Sequence, residues 1–140
     1  MLYELVYTSI ATRAGDEVGL DDLLEVARSR NETLNITGLL IYDGQNFMQL
    51  LEGGKAHVED VFSSILKDER HHDITVFHKG EFEERAFGDW SMAFRRVDPE
   101  TEVPVLYSAL TGGELIDGEL PASRNFGTRL LRLLNASTDL

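Results

Sequence analysis

Residues 36–53, ITGLLIYDGQNFMQLLEG, form two apolar runs around DGQN, and both alternating faces of each run are apolar. Asp and Gly favour chain reversal, so the stretch predicts a hairpin. Leu39 and Ile41 alternate with Leu40 and Tyr42, and Phe47 and Leu51 alternate with Met48 and Leu50. Such a hairpin must lie in a sheet that is covered on both sides. Gln49 interrupts the second run on the side of Phe47 and Leu51. A buried amide without partners costs about 1–3 kcal/mol, so this side chain must be hydrogen-bonded to protein or to a ligand.

The flanking segments supply cover for one face. Leu2 to Thr8 alternates as a first strand, with Tyr3, Leu5 and Tyr7 on one side and Leu2, Glu4 and Val6 on the other. DEVGLDDLLEVARSRN predicts a helix: Leu20, Leu23, Leu24 and Ala27 share a face, acidic residues come early, and Arg28 and Arg30 come late, as the helix dipole favours. Asn31 falls on the same stripe if the helix reaches that far. AHVEDVFSSILKDERHH predicts a second amphipathic helix through Val58, Val61, Phe62 and Ile65, with Asp68 continuing its stripe. ITVFHKG and DWSMAFRRV alternate as further strands, the second placing Trp90, Met92 and Phe94 on one side. The order β-α-β-β-α-β-β is that of an α+β, ferredoxin-like fold with an added strand, its two helices on one face of an antiparallel sheet.

The opposite face needs a second cover. After the loop-like TGGELIDGELP, Phe126, Leu130, Leu133 and Leu134 recur at helical spacing with Arg124, Arg129 and Arg132 interspersed. A C-terminal helix or helices on that face, or a homodimer pairing two such faces, would satisfy the burial requirement. The expected organisation is a domain over 1–97 and a helical extension over 98–140 packed on the sheet, with a homo-oligomer expected.

Composition narrows the chemistry. A net charge of −12 would repel a phosphate backbone, which argues against direct nucleic-acid binding. The absence of cysteine removes disulfides, thiolate nucleophiles and cysteine-based metal sites. No apolar run approaches the ~18 residues of a membrane span, and MLYELVYTSI lacks a basic leader, so a soluble cytoplasmic protein is expected. Phosphate-binding loops, nucleophile elbows and HExxH motifs are missing from the sequence. His71 and His72 are adjacent and poorly placed to share a metal, no metal site is expected, and His57 and His78 read as surface residues.

What remains is a set of polar side chains aimed at apolar surroundings: Tyr7, Asn31 and Gln49. One account is mutual satisfaction, a tyrosine hydroxyl bonded to the glutamine carbonyl with Asn31 capping its own helix. The other is a bound ligand. The ordered segments LVYTS, ARSRN, ITGLLIYDGQNFMQLLEG, DERH and FGDWSM resemble the BLUF family of blue-light sensors using flavin, over about Leu2 to Val97.

That resemblance implies an isoalloxazine ring between the two helices, sandwiched by Leu23 and Ile65. It implies that Tyr7 bonds to Gln49, that Gln49 reaches the flavin N5 and C4 carbonyl side, and that Asn31, with Arg30 beside it, holds the carbonyl and imide edge. Asp68, Arg70 and His71 would lie near the pyrimidine and ribityl side. Trp90 and Met92 would stand where the hydrogen-bond change meets the sheet. Ala27 replaces a small polar residue of some relatives, which removes one hydrogen bond toward Trp90 or Met92. FAD is the cofactor the resemblance implies, and the photochemical residues are Tyr7, Gln49, Trp90 and Met92.

The expected function is thus a photoreceptor module, not a turnover enzyme, in which electron and proton transfer among Tyr7, Gln49 and flavin rearranges hydrogen bonds and alters an interface with a separate effector protein. Two rivals are a cofactor-free ferredoxin-like interaction module and a small enzyme acting on an anionic substrate through Arg70, Asn31 and Asp68.

Overall fold

The computed structural model describes residues 2–13, 19–88 and 90–97. Its elements are β1 (Leu2–Ala11), α1 (Leu20–Leu34), β2 (Thr37–Tyr42), β3 (Asn46–Gly54), α2 (Lys55–Leu66), β4 (His71–Phe82) and β5 (Ala93–Arg96), the order expected from the sequence. The strands form one sheet in the order β4-β1-β3-β2-β5. β1, β3, β2 and β4 pair antiparallel, but β5 runs parallel to β2, with Leu39 opposite Ala93 and Leu40 opposite Phe94. The sheet is therefore mixed and not the antiparallel one expected. The chain crosses from β4 at one edge to β5 at the other and arrives running in the direction of β2.

The hairpin turns where DGQN predicts. Asp43 accepts the backbone N–H of Gln45 and Asn46 at 2.9 and 2.6 Å, and Gly44 takes φ +99°, a conformation that favours glycine. Every residue of β2 is buried. Leu50 and Leu51, adjacent in β3, are both fully buried although they point to opposite faces. Burying each such side chain stabilises the fold by about 2 kcal/mol, which only a sheet covered on both sides can realise. Gly38 lets β2 and β3 meet closely: a Cβ there would sit 1.9 Å from the carbonyl oxygen of Leu50.

On one face, Tyr3, Leu5, Tyr7, Leu40, Tyr42, Phe47 and Leu51 pack with Leu24 of α1 and Val58, Val61 and Ile65 of α2. On the other, Val6, Leu39, Ile41 and Leu50 pack with Phe87 and Val97. The C-terminal extension proposed as the cover of that second face, and its boundary at 98, lie outside the described residues. Among the described residues no helix is long and apolar enough to cross a membrane.

Three local expectations change. α1 runs on to Leu34, where Asn35 ends it in the left-handed region (φ 56°), so Arg28 and Arg30 lie in its middle and its last turn holds no basic residue. α2 stops at Leu66, because the Asp68 carboxylate accepts the backbone N–H of Arg70 at 2.9 Å and turns the chain out of the helix. Asp68 thus lies beyond the helix, half-buried, and does not extend its apolar stripe. β5 begins only at Ala93, after Trp90 and Met92, so these two do not share a strand face.

His78, read from the sequence as a surface residue, has a side chain only 17% exposed, 3.8 Å from the buried carboxylate of Glu4 on β1. Glu4 stands directly opposite Glu52 of β3. Glu52 accepts from Thr37 Oγ1 (2.9 Å) and from the backbone N–H of Ala86 (2.8 Å) and Phe87 (3.1 Å), pinning the segment between β4 and β5 to the sheet. Arg85 ties the same segment down by donating to Thr37 Oγ1 and to the carbonyls of Glu52 and Asn35.

Candidate functional site

Strand register creates the central pair of the site. Tyr7 of β1 and Gln49 of β3 are direct cross-strand partners on the helix-covered face, and Leu40 of β2 is the partner of Gln49 on its other side. The β1–β4 ladder slips between Val6 and Tyr7 and again between Thr8 and Ile10. Irregularities of this kind re-aim side chains, and these two flank the tyrosine.

The Tyr7 hydroxyl donates to Gln49 Oε1. Gln49 Nε2 donates in turn to the Met92 thioether at 3.5 Å. Sulfur is a weak acceptor, and among the described residues the amide's second N–H has no hydrogen-bond partner. A buried donor is thus left available beside a cleft. Burial pushes the Tyr7 phenol well above its ordinary range; Arg30 works against this shift and Asp68 adds to it. The ring packs against Phe62 (centroids 5.6 Å apart) and meets His71 edge-on at 6.0 Å.

The cleft lies between α1 and α2 over the sheet and is partly open to solvent. Leu23, Val26 and Ala27 of α1 face Ile65 of α2 across it, and Leu40 and Phe47 form part of its apolar lining. Its polar lining is Tyr7, Gln49, Arg30, Asp68, Arg70 and His71.

The charged members divide into a paired and an open set. Arg70 clamps Asp68 with Nε to Oδ1 at 3.0 Å and Nη2 to Oδ2 at 2.9 Å. Burial resists ionisation of Asp68, but the hydrogen bonds from Arg70 outweigh it and hold the carboxyl below its usual range; the same contacts raise Arg70. Arg30 donates from Nε to Asn31 Oδ1 at 3.2 Å, and among the described residues no carboxylate pairs with it. Burial lowers its pKa, partly offset by Tyr7 and Asp68. His71 is fixed from both sides, Nε2 donating to the Ile65 carbonyl at 2.8 Å while Nδ1 meets Ser9 Oγ at 2.7 Å.

Of the residues singled out in the sequence, Tyr7, Leu23, Arg30, Gln49, Ile65, Asp68, Arg70 and His71 all line the cleft. Asn31 is fully buried just behind it; it does not cap its own helix but donates from Nδ2 to the Ser91 carbonyl at 2.8 Å. Met92 is buried at 1% exposure on the amide of Gln49, whereas Trp90 is 48% exposed and its ring lies tilted against that of Phe87, centroids 6.2 Å apart.

Leu40 and Phe47 were not singled out for the site, although their registers beside Gln49 carried the signal. Arg28, assigned to the helix dipole, instead donates from Nε to the Met92 carbonyl at 3.0 Å. No pattern in the sequence marks that contact, because its acceptor is backbone.

A polar floor between two apolar walls suits a flat heteroaromatic ring bearing carbonyls on one edge: aliphatic side chains for its faces, and the Gln49 amide and the Arg30 guanidinium, which no carboxylate clamps among the described residues, for its polar rim. The comparisons with known proteins agree. The family described as "BLUF: Sensors of blue-light using FAD" matches residues 2–93. The photoactivated adenylate cyclase subunit beta of Euglena longa is 32% identical over 111 residues, which are 79% of this chain and 13% of that protein, so the chain spans about an eighth of that relative. The dark-state structure of BlrB, described as a BLUF protein, aligns over 97% of this chain and 96% of that one, with 30% identity and a TM-score of 0.72. The structure of Klebsiella pneumoniae BlrP1 with FMN and cyclic diGMP aligns over 97% of this chain and 35% of that one, with 30% identity and a TM-score of 0.68.

Proposed function

From the premise that the chain belongs to the BLUF family of flavin-binding blue-light sensor domains, we propose that its flavin is FAD, held in the cleft between α1 and α2, and that light alters the hydrogen bonds of Gln49. When bound, the flavin supplies light absorption and an excited state that oxidises a nearby phenol.

The chain's own residues do the rest. Leu23 and Ile65 would cover the faces of the ring and exclude water from them, while Arg30, oriented by the buried Asn31 behind it, would meet its carbonyl and imide edge. Asp68, Arg70 and His71 would border its pyrimidine and ribityl side, with Asp68 neutralising Arg70. Tyr7 is the electron donor. Its phenol is kept fully protonated in the ground state by burial, and its proton is directed onto the Gln49 carbonyl. Gln49 carries both donor and acceptor atoms, so rotation or tautomerisation of one side chain exchanges its bonds to Tyr7, Met92 and the ring.

The observation that carries this reading is the amide of Gln49, bonded on one side to the tyrosine and on another to a weak sulfur acceptor, in a residue that lines the cleft. We propose that the sensor domain is residues 1–97, with residues 98–140 as an extension to it. We propose that output passes to a separate effector protein, without turnover by this chain. Absorption spectra of the purified protein before and after blue light test the proposal. The expected result is a flavin spectrum whose long-wavelength band shifts to the red and reverts in the dark, with FAD released on denaturation. Colourless protein after supplying FAD, or a flavin band that light leaves unmoved, would overturn it.

A further inference from the structure

Two α1 side chains one helical turn apart grip consecutive backbone carbonyls ahead of β5: Asn31 Nδ2 donates to Ser91 at 2.8 Å and Arg28 Nε donates to Met92 at 3.0 Å. On the sheet side, the backbone N–H of Gly38 donates to the Trp90 carbonyl at 3.3 Å. Met92 is therefore held through its carbonyl from α1 while its sulfur lies against Gln49 Nε2.

The two α1 contacts differ in setting. Asn31 is fully buried and bonds Arg30 at the cleft, so its loss disturbs the binding site directly. Arg28 is exposed, does not line the cleft, and touches Met92 through its backbone carbonyl alone. We propose that Arg28 is a positioning residue: its bond to the Met92 carbonyl keeps the thioether seated on Gln49 and so sets how fast the rearranged amide returns to its resting arrangement. This rests on the proposed photoreceptor function.

With this arrangement as the resting one, the guanidinium bond stabilises it together with any transition state in which Met92 has already re-seated. Removing the bond leaves Met92 free to withdraw, so the return becomes slower. A guanidinium is not the sole group that can serve; a lysine ammonium reaches the same carbonyl with one donor, which makes Arg28→Lys the conservative rescue.

The test uses the flavin-loaded wild type, Arg28→Ala and Arg28→Lys. Decay of the red-shifted band after a blue pulse is followed in the dark, together with acrylamide quenching of the fluorescence of Trp90, the only tryptophan of the chain. Arg28→Ala is expected to keep the dark flavin spectrum, to recover about threefold or more slowly, and to show altered quenching of Trp90 already in the dark; Arg28→Lys restores most of both. Recovery of Arg28→Ala at the wild-type rate with unchanged quenching overturns the assignment and leaves the photoreceptor reading intact. A wild type that shows no light-induced shift defeats that reading, and this inference with it.

Discussion

Tyr7 and Gln49 face each other across adjacent antiparallel strands, in register and hydrogen-bonded through their side chains, with their common edge toward the cleft between the helices. Because the backbone ladder fixes the pair, each partner can be truncated without moving the other. Tyr7→Phe removes the hydroxyl and Gln49→Leu removes the amide. Both variants are expected to retain flavin and to lose the light-induced red shift, measured by difference absorption after blue illumination. A full shift in either would show that the pair is not the switch.

Glu52 is a buried carboxylate with three donors converging on it, from Thr37, Ala86 and Phe87. Glu52→Ala strands those donors and loosens the segment that leads into β5. The expected loss is about 3 kcal/mol or more of unfolding free energy, measured by urea denaturation of the flavin-loaded protein.

Gly38 permits the close approach of β2 to the Leu50 carbonyl. Gly38→Ala would place a carbon 1.9 Å from that backbone oxygen, and backbone in the middle of a sheet cannot yield cheaply. The variant is expected to be destabilised by roughly 3 kcal/mol or to fail to fold, as read by thermal melting and soluble yield.

Glu4 gives a pH dependence of definite sign. Burial raises its pKa above the ordinary carboxylate value; nearby His78 partly offsets the shift and Glu52 adds to it. An acid with a raised folded-state pKa holds its proton longer in the folded state than in the unfolded one. Its contribution to stability is therefore greatest below the unfolded value near 4.5 and declines as pH rises through the folded one. Glu4→Gln removes that decline, so melting temperatures of the variant should gain on the wild type from pH 4.5 upward. Parallel melting curves across that range would refute the assignment.

The apolar residues at 39–42 and 47–51 announced a two-sided sheet, and the spacings of Leu24 and Ala27 and of Val58, Val61 and Ile65 announced both helices. Strand alternation put Tyr7 and Gln49 on the covered face because one residue of slip would have placed them on the other. What escaped the sequence was decided by single polar contacts or by topology. The turn at Asp68 depends on a carboxylate accepting the Arg70 amide, which ends a helix whose hydrophobic period would have run on. Trp90 and Met92 fit a strand period, yet the Trp90 N–H bonds the Phe87 carbonyl at 3.0 Å, a turn that delays β5 and sends the indole outward. The parallel pairing of β5 and the grip of Arg28 on a backbone oxygen are set by the path of the chain, which side-chain periodicity does not encode.

The side chains that line the cleft span positions 7 to 71, whereas the residues gripped behind Gln49 are Ser91 and Met92. On the ribosome the cradle is consequently complete in sequence before the part that senses its state has been made. β1 must wait for β4 to cover its outer edge, and α1 must wait for Ser91 and Met92, whose carbonyls accept from Asn31 and Arg28. Vectorial synthesis thus delivers the residues that line the cleft first and those that fasten its wall last.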